Sequence, residues 1–481
     1  MNFSIVRYLI GWMLGIESIF LLLPALTAVI YGEPELPAYL IAAAISLAGA
    51  ALLCHRKPKN TRFYAREGYV TVALCWLILA VIGALPFVLS REIPFFIDAL
   101  FETVSGFTTT GATILGDVEA LSHASMLWRC LTHWVGGMGV LVFMLIVLPL
   151  AGGQTIFLMR AESPGPAVSK MSPHMRDTAT ILYAIYFGLT VLQMILLLIG
   201  GMPFFDAICV SLGTAGTGGF GNWNDSIAHY NSAYLQNVIT VFMILFGINF
   251  SAYFLILTRK FRQAFRIEEI RVYLGVIFVF AGLIAFNVRP MFGSLRESFH
   301  HALFQVASII TTTGFSTVDF DQWPTFSRAL LVLLMFIGAC AGSTGGGIKC
   351  SRILLLGKSV KKEMMCLIHP RLVRVNKMDG QRVPHEVMRS INVFVVAYAF
   401  IFILSLLIIS LNCEDLVTCF TSVATTLNNV GPGLSLCGPT CNFDFFPPLS
   451  KCVLIFDMLA GRLELFPMLL LFTPGTWQRN K

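Results

Sequence analysis

Apolar runs as long as a bilayer is thick recur from one end of this chain to the other, and they leave few folds open. A helix needs about 20 mostly apolar residues to cross the hydrocarbon core. Runs of that kind fall at residues 7–31 and 36–54, and eight more follow. Of the 481 residues, 56% are hydrophobic and 12% charged. That is more apolar surface than a water-facing domain can hide. The first run is too long for the apolar part of a secretory signal, so it is read as a span.

After a basic loop carrying Lys57 and Arg62, one plan repeats four times. A full span is followed by a shorter half-apolar segment, a Gly/Thr-rich stretch and a second full span. The leading spans are 69–90, 178–200, 270–288 and 387–411, and the trailing spans are 126–151, 234–258, 326–356 and 449–472. The first short segment is 93–106. The expected fold is therefore all-α: ten transmembrane helices, two N-terminal spans plus four pseudo-repeats of helix–pore loop–helix around a central pore. The corresponding division is 1–66 for the extra spans and basic loop, then 67–160, 161–268, 269–375 and 376–481 for the repeats.

Charge supports this count. The net charge is +7, but the basic residues cluster in loops after an even number of spans. These include Arg160, Lys170 and Arg176; Arg259, Lys260, Arg262 and Arg266; and Lys358, Lys361, Lys362, Arg371, Arg374 and Lys377. Arg479 and Lys481 follow the last span, whereas the opposite loops carry Glu33, Glu35, Asp117, Glu119, Asp225, Asp319 and Asp321. The positive-inside rule places both termini in the cytoplasm. It also accounts for the basicity without nucleic acid.

The four Gly-rich stretches align at Gly111, Gly219, Gly314 and Gly431, separated by 108, 95 and 117 residues. A short segment can enter the membrane as a half-helix, stop, and return in extended form. Irregular backbone at that depth is tolerated only where it lines water or is buried in protein. Glycine lets such backbone turn its carbonyls inward. Four strands about one axis give rings of carbonyl oxygens able to replace a cation's hydration shell. The expected lining is Thr110–Gly111, Gly218–Gly219, Thr313–Gly314 and Val430–Gly431. In the second stretch Gly216, Gly218 and Gly219 leave the register open by one residue.

These residues carry a family resemblance. Thr109-Thr110-Gly111-Ala112, Thr217-Gly218-Gly219-Phe220, Thr313-Gly314-Phe315-Ser316 and Asn428-Asn429-Val430-Gly431-Pro432-Gly433 are similar to the filters of the Trk/Ktr/HKT superfamily of potassium transporters. So are His133-Trp134-Val135-Gly136-Gly137-Met138-Gly139 and Gly461-Arg462-Leu463-Glu464-Leu465-Phe466-Pro467. The two extra spans and the last filter resemble the TrkH-type membrane subunit of bacterial Trk systems rather than the shorter KtrB-type subunit. The resemblance implies potassium uptake across the inner membrane, potassium ions held by the four glycine-bearing strands, and no catalysis. It implies a homodimer in the lipid bilayer, docked on a cytoplasmic nucleotide-binding TrkA-type regulatory subunit. Serine in the first filter would imply sodium permeability, and here the residue is Gly111.

Residues 338–347 interrupt the third trailing span with five glycines, among them Gly345, Gly346 and Gly347. Each costs a helix about 1 kcal/mol relative to alanine, so a non-helical intramembrane segment is expected. The resemblance makes it a gate beneath the filter, with Arg462 as an electrostatic barrier. A structural ion pair of Arg462 with Asp457 or Glu464 is the plainer alternative, and Lys349 and Arg352 are read as snorkelling toward the cytoplasm. Cys413, Cys437 and Cys441 lie at the opposite face, where a disulfide is allowed and the pairing stays open. A KtrB-type sodium- or proton-coupled symporter is the alternative mode of transport.

Overall fold

The computed structural model describes residues 1–58, 64–147, 175–371 and 375–478. The expected basic residues Arg62, Arg160, Lys170, Arg374, Arg479 and Lys481, and the end of the 126–151 span, lie outside the described residues. The described residues are mostly helical; among them one two-residue hairpin, Lys377–Met378 with Gln381–Arg382, turns at Asp379-Gly380.

Among the described residues, six helices are long and apolar enough to cross a bilayer. They are the N-terminal pair, α1 (Phe3–Tyr31) and α2 (Leu36–Cys54), and the four leading helices. The latter are α3 (Ala65–Ser90), α6 (Met175–Ile199), α10 (Glu268–Val288) and α14 (His385–Ser410). Their outward faces are apolar, as Phe286 on α10 and Val396 and Phe400 on α14 show by being about 70% exposed or more. Exposure of this kind suits lipid, which demands no polar outer face.

The trailing helices differ in carrying glycines or breaks. α5 (His123–Val147) carries His133 and three glycines. The second is bent by 93° between α8 (Ala233–Phe246) and α9 (Phe250–Leu257). The third stops at the end of α12 (Thr325–Ile337) and restarts as α13 (Cys350–Ile368). The fourth breaks between α16 (Pro448–Arg462) and α17 (Phe466–Leu471). The spans read as continuous at 234–258 and 449–472 are thus interrupted. At the first break Asn249 caps α9, its side chain accepting from Ser251 N at 2.8 Å. At the second, Glu464 and Leu465 both adopt left-handed backbone.

Each leading and trailing pair embraces a short helix: α4 (Phe96–Phe107), α7 (Phe204–Gly216), α11 (Leu295–Ile310) and α15 (Leu416–Leu427). At 12 to 16 residues and 1.5 Å per residue, none can span about 30 Å of hydrocarbon. The first begins at Phe96, three residues later than its apolar segment suggested.

The outer start of α15 is fixed by Asp415, whose carboxylate accepts from Val417 N and Thr418 N at 3.2 and 3.0 Å. The Thr418 hydroxyl, then that of Ser435, holds the Asp415 carboxyl down at about 2. A depressed carboxyl stabilises the fold above its unfolded value near 3.9 and loses that contribution as pH falls toward 2. Replacing such a cap with alanine costs about 1 kcal/mol. Asp415→Ala should therefore melt below the parent at pH 7, with the gap narrowing below pH 4. An equal gap at both pH values would exclude the charged cap as its source.

Candidate functional site: a ring of carbonyls over a glycine loop

The four short helices end alike. Thr110 N donates to Ser105 O, Gly218 N to Gly213 O, Thr313 N to Ser308 O and Val430 N to Thr425 O, all at 2.8–2.9 Å. These are the six-to-one bonds of a Schellman ending, which needs a left-handed residue just before the donor. That residue is Thr109, Thr217, Thr312 or Asn429, at φ +54° to +57°. Threonine is β-branched and rarely adopts this conformation, so three of the four ends hold strained backbone. Strain of this kind survives only where the surroundings enforce it.

The strained side chains are used. Thr109 Oγ1 accepts from Arg462 Nη1 at 3.1 Å, and Thr312 Oγ1 accepts from Gly346 N at 2.7 Å. Asn429 Nδ2 donates to Thr110 Oγ1 at 3.0 Å and to Met458 O at 2.9 Å, joining the fourth unit to the first. Thr217 bonds its neighbour's carbonyl, Gly216 O, at 2.6 Å. Behind two strands the hydroxyls pair, Thr108 with Thr110 at 2.8 Å and Thr311 with Thr313 at 2.7 Å.

Two residues after each strained position stands a left-handed glycine: Gly111, Gly219, Gly314 or Gly431, at φ +79° to +98°. A Cβ on Gly111 would lie 2.0 Å from Gly218 O, and one on Gly219 would lie 1.9 Å from Thr313 O. On Gly314 it would lie 2.6 Å from Val430 O, and on Gly431 2.6 Å from Thr110 O. The contacts close a circle in which each glycine abuts the carbonyl of the next unit. Thr110, Gly218, Thr313 and Val430 thus contribute the four oxygens of one layer. In the second unit the positive φ at Gly219 gives the register.

The His-Trp-Val-Gly-Gly stretch on α5 supports this layer. His133 Nδ1 lies 2.8 Å from Gly106 O. A Cβ on Gly136 would sit 1.8 Å from Phe107 O, and one on Gly137 2.7 Å from Gly216 Cα. Gly461 on α16 does the same for the fourth unit, at 2.1 Å from Leu427 O. Small residues let these helices reach the short-helix ends directly.

A buried ion pair, unforeseen in the sequence, stiffens the first strand. Glu102 accepts from Arg129 Nε at 2.8 Å and from Ile114 N at 3.0 Å, and both side chains are almost unexposed. Only their separation by 27 residues kept the pair hidden, since each alone looks like an isolated charge in an apolar run.

Residues 338–349 lie between α12 and α13, outside either helix, with left-handed glycines at 338, 342 and 347. The loop is pressed against the ring from below. A Cβ on Gly345 would meet Thr311 O at 2.9 Å, and one on Gly346 would meet Asn428 O at 2.6 Å. Glu269 on α10 anchors it, accepting from Ala341 N at 2.7 Å and Ser351 N at 3.0 Å. Lys349 Nζ donates to Gly345 O.

Arg462 joins the two layers. Besides Thr109, it donates to Thr344 O and to Gly136 O, each at 2.8 Å. Of the carboxylates weighed as its partners, Asp457 accepts from Ser405 at 2.7 Å and Glu464 pairs with Arg352. Arg352 is accordingly buried rather than reaching toward solvent. All twelve cysteines, including Cys413, Cys437 and Cys441, are free thiols.

Known proteins resemble this chain. The family described as "TrkH: Cation transport protein" matches residues 37–478. The chain is 38% identical to the Trk system potassium uptake protein TrkH of Salmonella typhimurium, over 99% of this chain and all of that one. It is 37% identical, with the same coverage, to the Trk system potassium uptake protein TrkH of Escherichia coli. The crystal structure of the potassium transporter TrkH from Vibrio parahaemolyticus superposes with a TM-score of 0.89 and 32% identity, covering 99% of this chain and all of that one. With likeness running the whole length in both sequence and fold, this chain belongs to the TrkH family of cation transport proteins.

Proposed function

We propose that the chain conducts potassium ions across the inner membrane, stripping them of water in the carbonyl layer of Thr110, Gly218, Thr313 and Val430. The circle of glycine-to-carbonyl contacts carries this reading. Oxygens so packed cannot move apart without displacing the next strand, so they replace hydration at little reorganisation cost. The ends of α4, α7, α11 and α15 add partial negative charge at the same place.

The loop containing Gly345, Gly346 and Gly347 is the gate, and Arg462 is the barrier beneath the ring. The basic loops face the cytoplasm with both termini and form the docking surface for a TrkA-type regulatory subunit, and two copies of the chain assemble as a homodimer. The functional division is 1–66, 67–160, 161–268, 269–375 and 376–481.

The test is rubidium uptake by purified protein in liposomes, driven by a potassium gradient alone. Uptake without any sodium or pH gradient is expected. Uptake that needs sodium or a pH gradient would favour the coupled symporter. Deleting Gly345–Gly347 should leave a folded protein with raised uptake. Unchanged uptake from that variant would exclude the loop as gate.

A further inference from the structure

Among the described residues three cations hold carbonyls of the loop directly, Arg462 at Thr344, Lys349 at Gly345 and Arg352 at Ile348. Arg352 also reaches beyond the loop. It lies in the first turn of α13, where Nη1 donates to Ile348 O at 3.0 Å. Its guanidinium sits 4.2 Å from the Phe394 ring centre, and Nη2 pairs with Glu464. The two side chains are only 6% and 13% exposed.

Glu464 occupies the break in the last span, two residues after Arg462. It has φ +58° and Leu465 has φ +68°. Consecutive non-glycine residues in this conformation persist only where neighbours impose it. Arg462 is the last residue of α16, directly before this break. The pair therefore ties the downstream anchor of the loop to the turn that follows Arg462.

We propose that Arg352 and Glu464 form a positioning latch that keeps the loop beneath the carbonyl ring. The inference rests on the reading of that loop as the gate. Neither residue touches the ion. The pair acts by holding the start of α13 against the break after Arg462, so that Arg462 and Lys349 meet adjacent loop carbonyls together. Opening the loop then requires α13 to part from Glu464.

Removing one partner strands a buried charge, which can unfold the protein. The test therefore uses Arg352→Gln combined with Glu464→Gln, which removes both charges of the pair together, beside Arg352→Lys, which keeps the charge. Rubidium uptake and the potassium-to-sodium ratio are measured on intact protein in liposomes, with the Gly345–Gly347 deletion as reference. The double variant should raise uptake by about fivefold or more, the usual scale of coupling between sites. Its ion ratio should stay unchanged, because the ring is untouched. Arg352→Lys should stay near the parent rate. Parental uptake from a folded double variant, while the deletion raises uptake, would overturn the latch alone. So would full release by Arg352→Lys. A deletion without effect would overturn the gate, and the latch with it.

Discussion

Gly111→Ser should cut the preference for potassium over sodium by about tenfold, equivalent to about 1.4 kcal/mol of differential binding. The new Cβ would stand 2.0 Å from Gly218 O, far inside contact distance, and φ at this position is +81°. Backbone this strained costs about 1–3 kcal/mol for a residue with a side chain. The Gly218 carbonyl has to yield, and the layer loses one of four oxygens at its proper place. Selectivity rests on the number and placement of those oxygens, so it falls before conduction does. Rubidium and sodium uptake in liposomes, compared side by side, measures the ratio. Gly282→Ser is the control, since nothing lies within 4 Å of a Cβ there, and it should leave the ratio intact. An unchanged ratio in Gly111→Ser would remove Gly111 from the filter.

Arg462→Gln should raise potassium flux by about tenfold while leaving selectivity alone. The guanidinium stays charged at any physiological pH, and its bond to Thr109 places it directly below the carbonyl layer. A unit charge about 5 Å from an ion is worth about 3 kcal/mol at an effective dielectric of 20. Water in the path lowers this, and a residue of about 1.4 kcal/mol still gives the tenfold change. Glutamine also gives up two of the bonds that pin Thr344 and Gly136, which works in the same direction. Arg462→Lys separates the effects, because it keeps the charge and loses the fork geometry. Flux lowered in a folded Arg462→Gln protein would contradict the barrier.

The architecture was legible because membrane spans are written in long apolar runs and charge-biased loops. The four glycines were legible because their spacing repeats. Two trailing spans were misread as continuous because their breaks are made by tertiary contacts. Glu464 and Leu465 adopt left-handed backbone although neither is glycine, and Pro467 just beyond is the cue that a helix restarts there. At Gly247 the cue was stronger, since Asn249 is a helix cap two residues later. The strained Thr109, Thr217 and Thr312 could not be anticipated, because threonine does not favour that conformation and the partners of Thr109 and Thr312 are far away in the sequence. The partners of Arg352 and Glu102 were hidden for the same reason: an ion pair across 112 or 27 residues leaves no periodic trace.

The central claim is that one ion site lies among the carbonyls of Thr110, Gly218, Thr313 and Val430. Anomalous diffraction from crystals grown in rubidium or thallium measures it most directly. The account predicts a peak on the axis of that layer, shared evenly by the four oxygens, which weakens when sodium replaces the heavier ion. A peak confined to another level of the axis, with none among these oxygens, would contradict it.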